Sequence, residues 1–295
     1  MLRRLVREPG FSTVTVLTLA LALATVVTVF TLVNAVLLRQ LPYPESAHLV
    51  EVSHAAPGLK LERMGMSARL YLHYLEHSKT LDGIALSSSA ELTLSGHEEP
   101  VRVPGAVVSP SAFRILRVEP ELGRAFSEEE GRPGGTAVVI LSHDLWQRRY
   151  GGGAGILGRP LDVNGTPREV VGVMPAGFDF PSPTTELWVP RVLDSGKARL
   201  GYFNEGAIAR VRSQVTLEAA QTELTQLTRD LVGAFPDEEA AKVLQDGGLR
   251  PELKTLLESA VGKVRPVLWT LLAAAGLILV IACANVANLF LVPFE

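Results

Sequence analysis

The stretch FSTVTVLTLALALATVVTVFTLVNAVLL, Phe11 to Leu38, contains no Asp, Glu, Lys or Arg. A second uncharged apolar run, VLWTLLAAAGLILVIACANVANLFLV, spans Val267 to Val292. A helix that crosses a bilayer core needs about 20 apolar residues, because about 30 Å must be covered at 1.5 Å per residue. Both runs clear that length. The pattern predicts a polar middle domain held to a membrane at both ends.

The first run could be mistaken for a cleaved signal peptide, since Arg3, Arg4 and Arg7 precede it and Ala22-Leu23-Ala24 resembles a small-residue cleavage site. The apolar stretch nevertheless continues through Val26, Phe30, Val33 and Leu37, about twice the usual length of about 7–15 residues for a signal h-region. An uncleaved anchor is therefore expected. Its many β-branched residues are tolerated in lipid, where a helix satisfies every backbone group internally. The three arginines place Met1 in the cytoplasm, because cytoplasmic flanks carry the Lys/Arg excess. The middle domain then lies outside and the second run returns the chain to the cytoplasm. Arg39, Lys263 and Arg265 sit on the other side and oppose this orientation.

Roughly 225 residues remain between the runs, enough for one large domain or two small ones. The net charge of −3 and the absence of a basic, aromatic-interleaved patch speak against nucleic-acid binding. The one cysteine, Cys283, lies inside the second run and can form no disulfide within the chain.

Leu41-Pro-Tyr-Pro44 ends the first helix, since proline cannot continue it. A short strand is expected at His48 to Ser53. A helix follows over Ser67 to Leu81, with Leu70, Tyr74, His77 and Leu81 on one face. Strands are expected at Ile84 to Leu94, Val101 to Val108, Val138 to Leu141 and Leu187 to Pro190, with a Ser142-capped helix reaching Tyr150. Asn164-Gly165 between strand-like flanks is a hairpin signal, because both turn residues need positive φ. A strand at Ala207 to Val211 enters a helix at Thr216, whose stripe Leu217, Ala220, Leu224, Leu227 and Leu231 faces away from polar Gln221, Glu223, Gln226 and Arg229. Pro236 closes that helix, and Glu252 to Val261 reads as a last amphipathic helix. The order suggests an α+β domain interrupted by a second, β-rich lobe.

His73-Tyr-Leu-Glu76-His77 matches the H-x-x-E-H pattern in which two histidines on one helix face hold zinc and the glutamate acts as general base. No downstream carboxylate stands out as the third ligand, and an amphipathic helix with histidines four apart gives the same string. Tyr150-Gly-Gly-Gly-Ala-Gly-Ile-Leu-Gly158 lacks the ending of a phosphate loop and reads as a turn. Glu128-Glu129-Glu130 reads as a solvated helix start capped by Ser127. No nucleophile–base–orienter set and no ATP-binding motif is visible, so no catalytic, cofactor-binding or metal residue is assigned and no enzyme is expected. In the membrane runs the polar exceptions are Asn34, Asn285 and Asn288. Asn285 and Asn288 share a face beside small Ala282, Ala284 and Ala287, which points to a helix-packing seam in a larger bundle.

The Arg7-Glu-Pro-Gly-Phe-Ser-Thr13 start and the Leu41-Pro-Tyr-Pro-Glu45 linker resemble MacB/FtsX-type ABC transporter permeases. So do Gly105-Ala-Val-Val-Ser-Pro-Ser-Ala-Phe113, Leu122-Gly-Arg-Ala-Phe126, Val138 to Trp146, Gly158 to Gly165, Val170 to Phe178 and Ile281 to Leu289. The resemblance implies an α+β extracytoplasmic domain, a porter-like lobe with an inserted β-rich lobe, between two transmembrane α-helices of the bacterial inner membrane. The divisions it implies are a cytoplasmic segment 1–10, a first span 11–38, the core domain 39–266, a second span 267–292 and a cytoplasmic end 293–295. Within the core, the porter-like lobe covers about 45–108 and 205–262 and the insert about 109–204. The resemblance also implies a homodimeric permease, a cytoplasmic ABC ATPase partner, a periplasmic partner, and efflux driven by motion passed mechanically to the outer domain. A first run extending about 42 Å as helix would protrude beyond the hydrocarbon core. Relatives continue past Leu291-Val-Pro-Phe-Glu295 into further spans, so the resemblance implies a fragment or a truncated permease half. The alternatives from other classes are a two-pass anchored sensor or binding module and, more remotely, the zinc peptidase.

Overall fold

The structure, a computed structural model, describes residues 9–34, 41–95, 99–235, 239–262 and 264–291. Arg3, Arg4, Arg7, Leu38, Arg39, Pro236, Lys263 and the end beyond Leu291, all used in the sequence reading, lie outside the described residues. The chain divides into two compact units, one made of residues 1–41 with 257–295 and the other of residues 42–256.

The first unit holds two long helices, α1 (Pro9–Val33) and α8 (Arg265–Leu291), packed on each other. On α1 the least exposed positions are Leu19, Ala22, Thr25, Val26, Val29 and Val33; on α8 they are Leu268, Leu272, Ala275, Gly276, Leu279, Ala282 and Val286. These follow the 3-and-4 spacing of a coiled-coil seam, and small Ala22, Ala275, Gly276 and Ala282 allow close approach. The remaining faces are apolar and exposed, with Leu21 at 73% and Val280 at 63%. Only 11% and 17% of the two apolar windows is buried, unlike the core helix of a soluble protein. Three threonine hydroxyls of α1 donate back to carbonyls four residues earlier, Thr25 to Leu21 at 2.9 Å, Thr28 to Ala24 at 2.8 Å and Thr31 to Val27 at 2.8 Å. Each hydroxyl is thereby satisfied without a partner outside its own helix.

The second unit is an α+β domain with two cores. Strands β1 (Leu49–Ala56), β3 (Leu81–Ser95), β10 (Gly206–Val211) and β11 (Arg250–Thr255) pair antiparallel in the order β11-β1-β10-β3, and β2 (Leu61–Met64) adds to the far end of β1. Helices α2 (Ala68–His77), α5 (Leu217–Gly233) and α6 (Glu239–Asp246) accompany this sheet. Val52, Leu70, Tyr74, Ala209, Leu224 and Leu253 are among the buried residues of the first core.

The second core is a barrel. Its strands are β3, β4 (Val101–Val108), β9 (Leu187–Pro190), β6 (Val138–Leu141), β8 (Thr166–Val173) and β7 (Pro160–Val163). Each pairs with the next, and β7 returns to β3 through Leu94↔Val163, so the ring closes. Closure leaves no open edge within the ring. Leu92, Leu94, Val103, Val139, Leu141, Val163, Val170 and Leu187 fill it, and α4 (His143–Tyr150) covers it with Leu145. The fifteen-residue β3 runs from one core into the other, so the second core draws in Leu92 and Leu94 of β3, with Val103 of β4, from before residue 109.

Local signals explain many of these elements. Ser142 and Thr216 cap their helices by accepting from Leu145 N at 3.1 Å and Ala219 N at 3.2 Å. Asn164 and Gly165 hold φ of 55° and 76° in the two-residue β7–β8 turn. Some readings need correction. The helix expected over residues 67–81 ends at His77, and Leu81 begins β3. Residues 252–255, expected as helix, form the end of β11, and only Leu256–Val261 is helical (α7). Glu130, expected in a solvated run, is 5% exposed, caps Ser127 N at 2.8 Å and accepts two bonds from Arg124 at 2.6 and 3.1 Å.

Candidate functional site

The segments that lead to the two long helices join the second unit at one place. β1 and β11 are neighbours, and Val50 at the start of β1 pairs with Thr255 at the end of β11. The chain arriving after α1 and the chain departing toward α8 therefore attach to adjacent strand ends of one antiparallel pair.

The arriving linker, Tyr43-Pro-Glu45, is clamped to both lobes. Arg210 on β10 is 2% exposed. Its Nη1 donates to the Glu45 carbonyl at 3.1 Å, its Nη2 to the Pro44 carbonyl at 3.1 Å, and its Nε to the Ile115 carbonyl at 2.8 Å. Ile115 belongs to α3 (Ala112–Leu116). Burial and the nearby Arg117 charge pull the Arg210 pKa down, with Glu45 and Asp82 opposing the fall. Three carbonyl dipoles replace the counterion. Glu45 and Arg117, both left-handed at φ 49° and 57°, close the clamp with a 2.6 Å ion pair. On the other side the Tyr43 hydroxyl donates to the Asp179 carbonyl at 2.9 Å, and its ring meets Phe178 edge-on at 6.4 Å. Burial, aided by Asp179, pushes the Tyr43 pKa up to about 12, so its hydroxyl remains a donor. Phe178 in turn packs on fully buried Trp188 of β9, whose Nε1 donates to Phe180 O at 2.7 Å.

Two further polar features stiffen the first lobe. Gln221 of α5, expected on a solvated face, pairs with the free edge of β11: its Nε2 donates to Pro251 O at 2.6 Å and its Oε1 accepts from Leu253 N at 2.9 Å. Glu223 accepts from Lys79 N at 2.9 Å, Thr80 N at 3.0 Å and Ser78 Oγ at 2.7 Å at the start of β3. Burial would raise the Glu223 pKa, but these bonds and that of the Thr80 hydroxyl hold it below the usual range. Inside the core, His54 has no exposed surface. Its Nδ1 meets Gly65 O at 3.0 Å and its Nε2 meets the Tyr74 hydroxyl at 3.1 Å, which continues to Thr228 Oγ1 at 2.5 Å. Burial pushes the His54 pKa down to about 4, so the ring is neutral and Nδ1–H donates to the carbonyl.

The residues singled out from sequence fall elsewhere. His73 and His77 lie 4.4 Å apart, ring to ring, with His77 Nδ1 bonded to its own helix at His73 O. The Glu76 side chain is 78% exposed, and among the described residues no three His, Cys, Asp or Glu side chains group to hold a metal. Ala284 and Asn285 are exposed and lie off the α1-facing stripe, which runs instead through Ala282 and Val286; Asn34 is also exposed. The side chain of Asn288 lies outside the described residues. Sequence reasoning missed Arg210, although a lone charge inside the apolar run Ala207-Ile-Ala-Arg-Val211 was the available signal.

An interrupted α+β domain with both chain connections on adjacent strands, flanked in sequence by two candidate membrane helices, defines a two-lobed module. The model of the MacB-like periplasmic core domain matches residues 12–227, and the chain belongs to that family. The periplasmic region of MacB from Actinobacillus actinomycetemcomitans has the same fold, with a TM-score of 0.52 and 12% identity over 75% of this chain and 94% of that one. A domain assigned to a permease protein from Porphyromonas gingivalis matches with a TM-score of 0.52 and 14% identity over 72% and 93% of the two chains. No curated protein matches the chain.

Proposed function

We propose that this protein is a permease component of an ABC transporter that passes ATPase-driven motion mechanically to its extracytoplasmic domain for efflux or export. Family membership supports this reading, and the single observation that carries it is the neck. Both linkers attach to adjacent strands, and Arg210 and Tyr43 fix the arriving one to both lobes. Displacement of either helix would then pull on the sheet itself. A domain responds to such a displacement only through contacts that differ between its states.

In this reading the chain sits in the bacterial inner membrane with both termini cytoplasmic and residues 39–266 outside. It works as a homodimer with a cytoplasmic ABC ATPase and a periplasmic partner. Asn285, Asn288 and Ala284 would face the other permease helices, an assignment favoured by the exposure of Ala284 and Asn285. Purification of the tagged chain from native membranes tests the proposal. Co-purification of an ABC-type ATP-binding subunit is expected; its consistent absence, with the anchored chain recovered intact, refutes it.

A further inference from the structure

One cleft of the first lobe has chemistry that force transmission does not use. It lies between α5, α6 and the start of β11 and encloses about 570 Å³, within the usual span of about 300–1,000 Å³ for small-molecule sites. Buried Val232, Leu244 and Leu249 line it. Thr228 also contributes, but its hydroxyl is already engaged by Leu224 O at 2.7 Å and by Tyr74. The wall is therefore mostly apolar.

Thr225 and Gln245 add polar groups to the lining, Arg229 and Arg250 are its two cations, and among the described residues no carboxylate lines it. Among the described residues Arg229 has no hydrogen bond or ion pair. Arg250 has only a 3.7 Å contact to Glu252, which is shared with Lys254 at 3.8 Å. A guanidinium presents paired N–H donors that match a carboxylate, and an apolar wall favours a ligand with a tail over a bare inorganic anion.

We propose that this cleft binds a monocarboxylate bearing an apolar tail, the tail against Val232, Leu244 and Leu249 and the carboxylate at Arg229 and Arg250. The site stands apart from the transport reading, because its occupancy requires no ATPase.

The test is calorimetric titration of the full chain in nanodiscs with octanoate, with empty nanodiscs subtracted. Saturable binding is expected, weakened at least about tenfold in the double variant R229Q/R250Q. Gly233 lines the same cleft, and a Cβ there meets none of the described residues within 4 Å, so Gly233→Trp should place an indole at the cleft at little cost to the fold. It should abolish binding while far-UV circular dichroism stays unchanged. Octyltrimethylammonium, which carries the same tail and the opposite charge, should give no saturable signal. The proposal is overturned if octanoate behaves as with empty nanodiscs, if either variant binds like the parent, or if the ammonium probe binds equally well.

Discussion

The buried imidazole of His54 makes stability depend on pH in a defined window. In the unfolded chain this group takes up a proton near pH 6.5, whereas burial holds the folded value at about 4. Between those values the unfolded state binds more protons, so stability is complete above pH 6.5 and declines as the pH falls toward 4. At pH 5 the two values give a ratio of binding polynomials of about 30, or about 2 kcal/mol; the full effect below pH 4 is about 3 kcal/mol. Since a domain has only about 5–15 kcal/mol of stability, this is a large share. Urea unfolding of the full chain in detergent, followed by tryptophan fluorescence at pH 7.5 and pH 5, reads the loss. His54→Gln removes the titrating group, so its absolute stability falls but the His54 contribution to the pH dependence disappears. Carboxylates titrate in both proteins and cancel in the comparison. Parent and variant losing the same free energy between pH 7.5 and pH 5 would refute the neutral, buried imidazole.

Gln221→Ala uncovers Pro251 O and Leu253 N on the edge of β11 and should cost about 1–3 kcal/mol, read as a lower urea midpoint at unchanged slope. Gly65→Ala would place a Cβ 2.3 Å from Glu205 O, where backbone must move. It should destabilise by about 3 kcal/mol or more, and an unshifted midpoint would contradict the packing. Arg210→Met leaves the carbonyls of Pro44, Glu45 and Ile115 without their cation and should cost about 2–4 kcal/mol. Hydrogen exchange should show the loss concentrated at residues 43–48, and uniform protection there would exclude the clamp.

Much of this protein was legible without coordinates. Caps, turns and apolar periodicity act over a few residues, so Ser142, Thr216, Asn164-Gly165 and the stripe on α5 announced their elements directly. The apolar runs announced α1 and α8 because length and composition alone satisfy the requirement of a bilayer. The seam between those helices was not foreseen. The apolar character is so uniform that nothing in the runs marks which face of one helix meets the other.

The tertiary structure decided what depends on distant partners. Residues 252–255 become strand because β1, about 200 positions earlier, supplies the ladder; isolated, their local pattern reads as helix. Closure of the barrel rests on Leu94 meeting Val163, and the neck on Arg210 meeting Pro44. Gln221 and Glu130 read as solvated polar residues and Arg210 drew no reading, since a charge or amide is hidden only when a distant carbonyl, strand edge or guanidinium arrives to satisfy it. Composition and short-range stereochemistry therefore determined the two long apolar helices and most elements. Which polar groups are buried, and hence where the sheet is gripped, emerged only when segments far apart in the chain satisfied one another's hydrogen bonds.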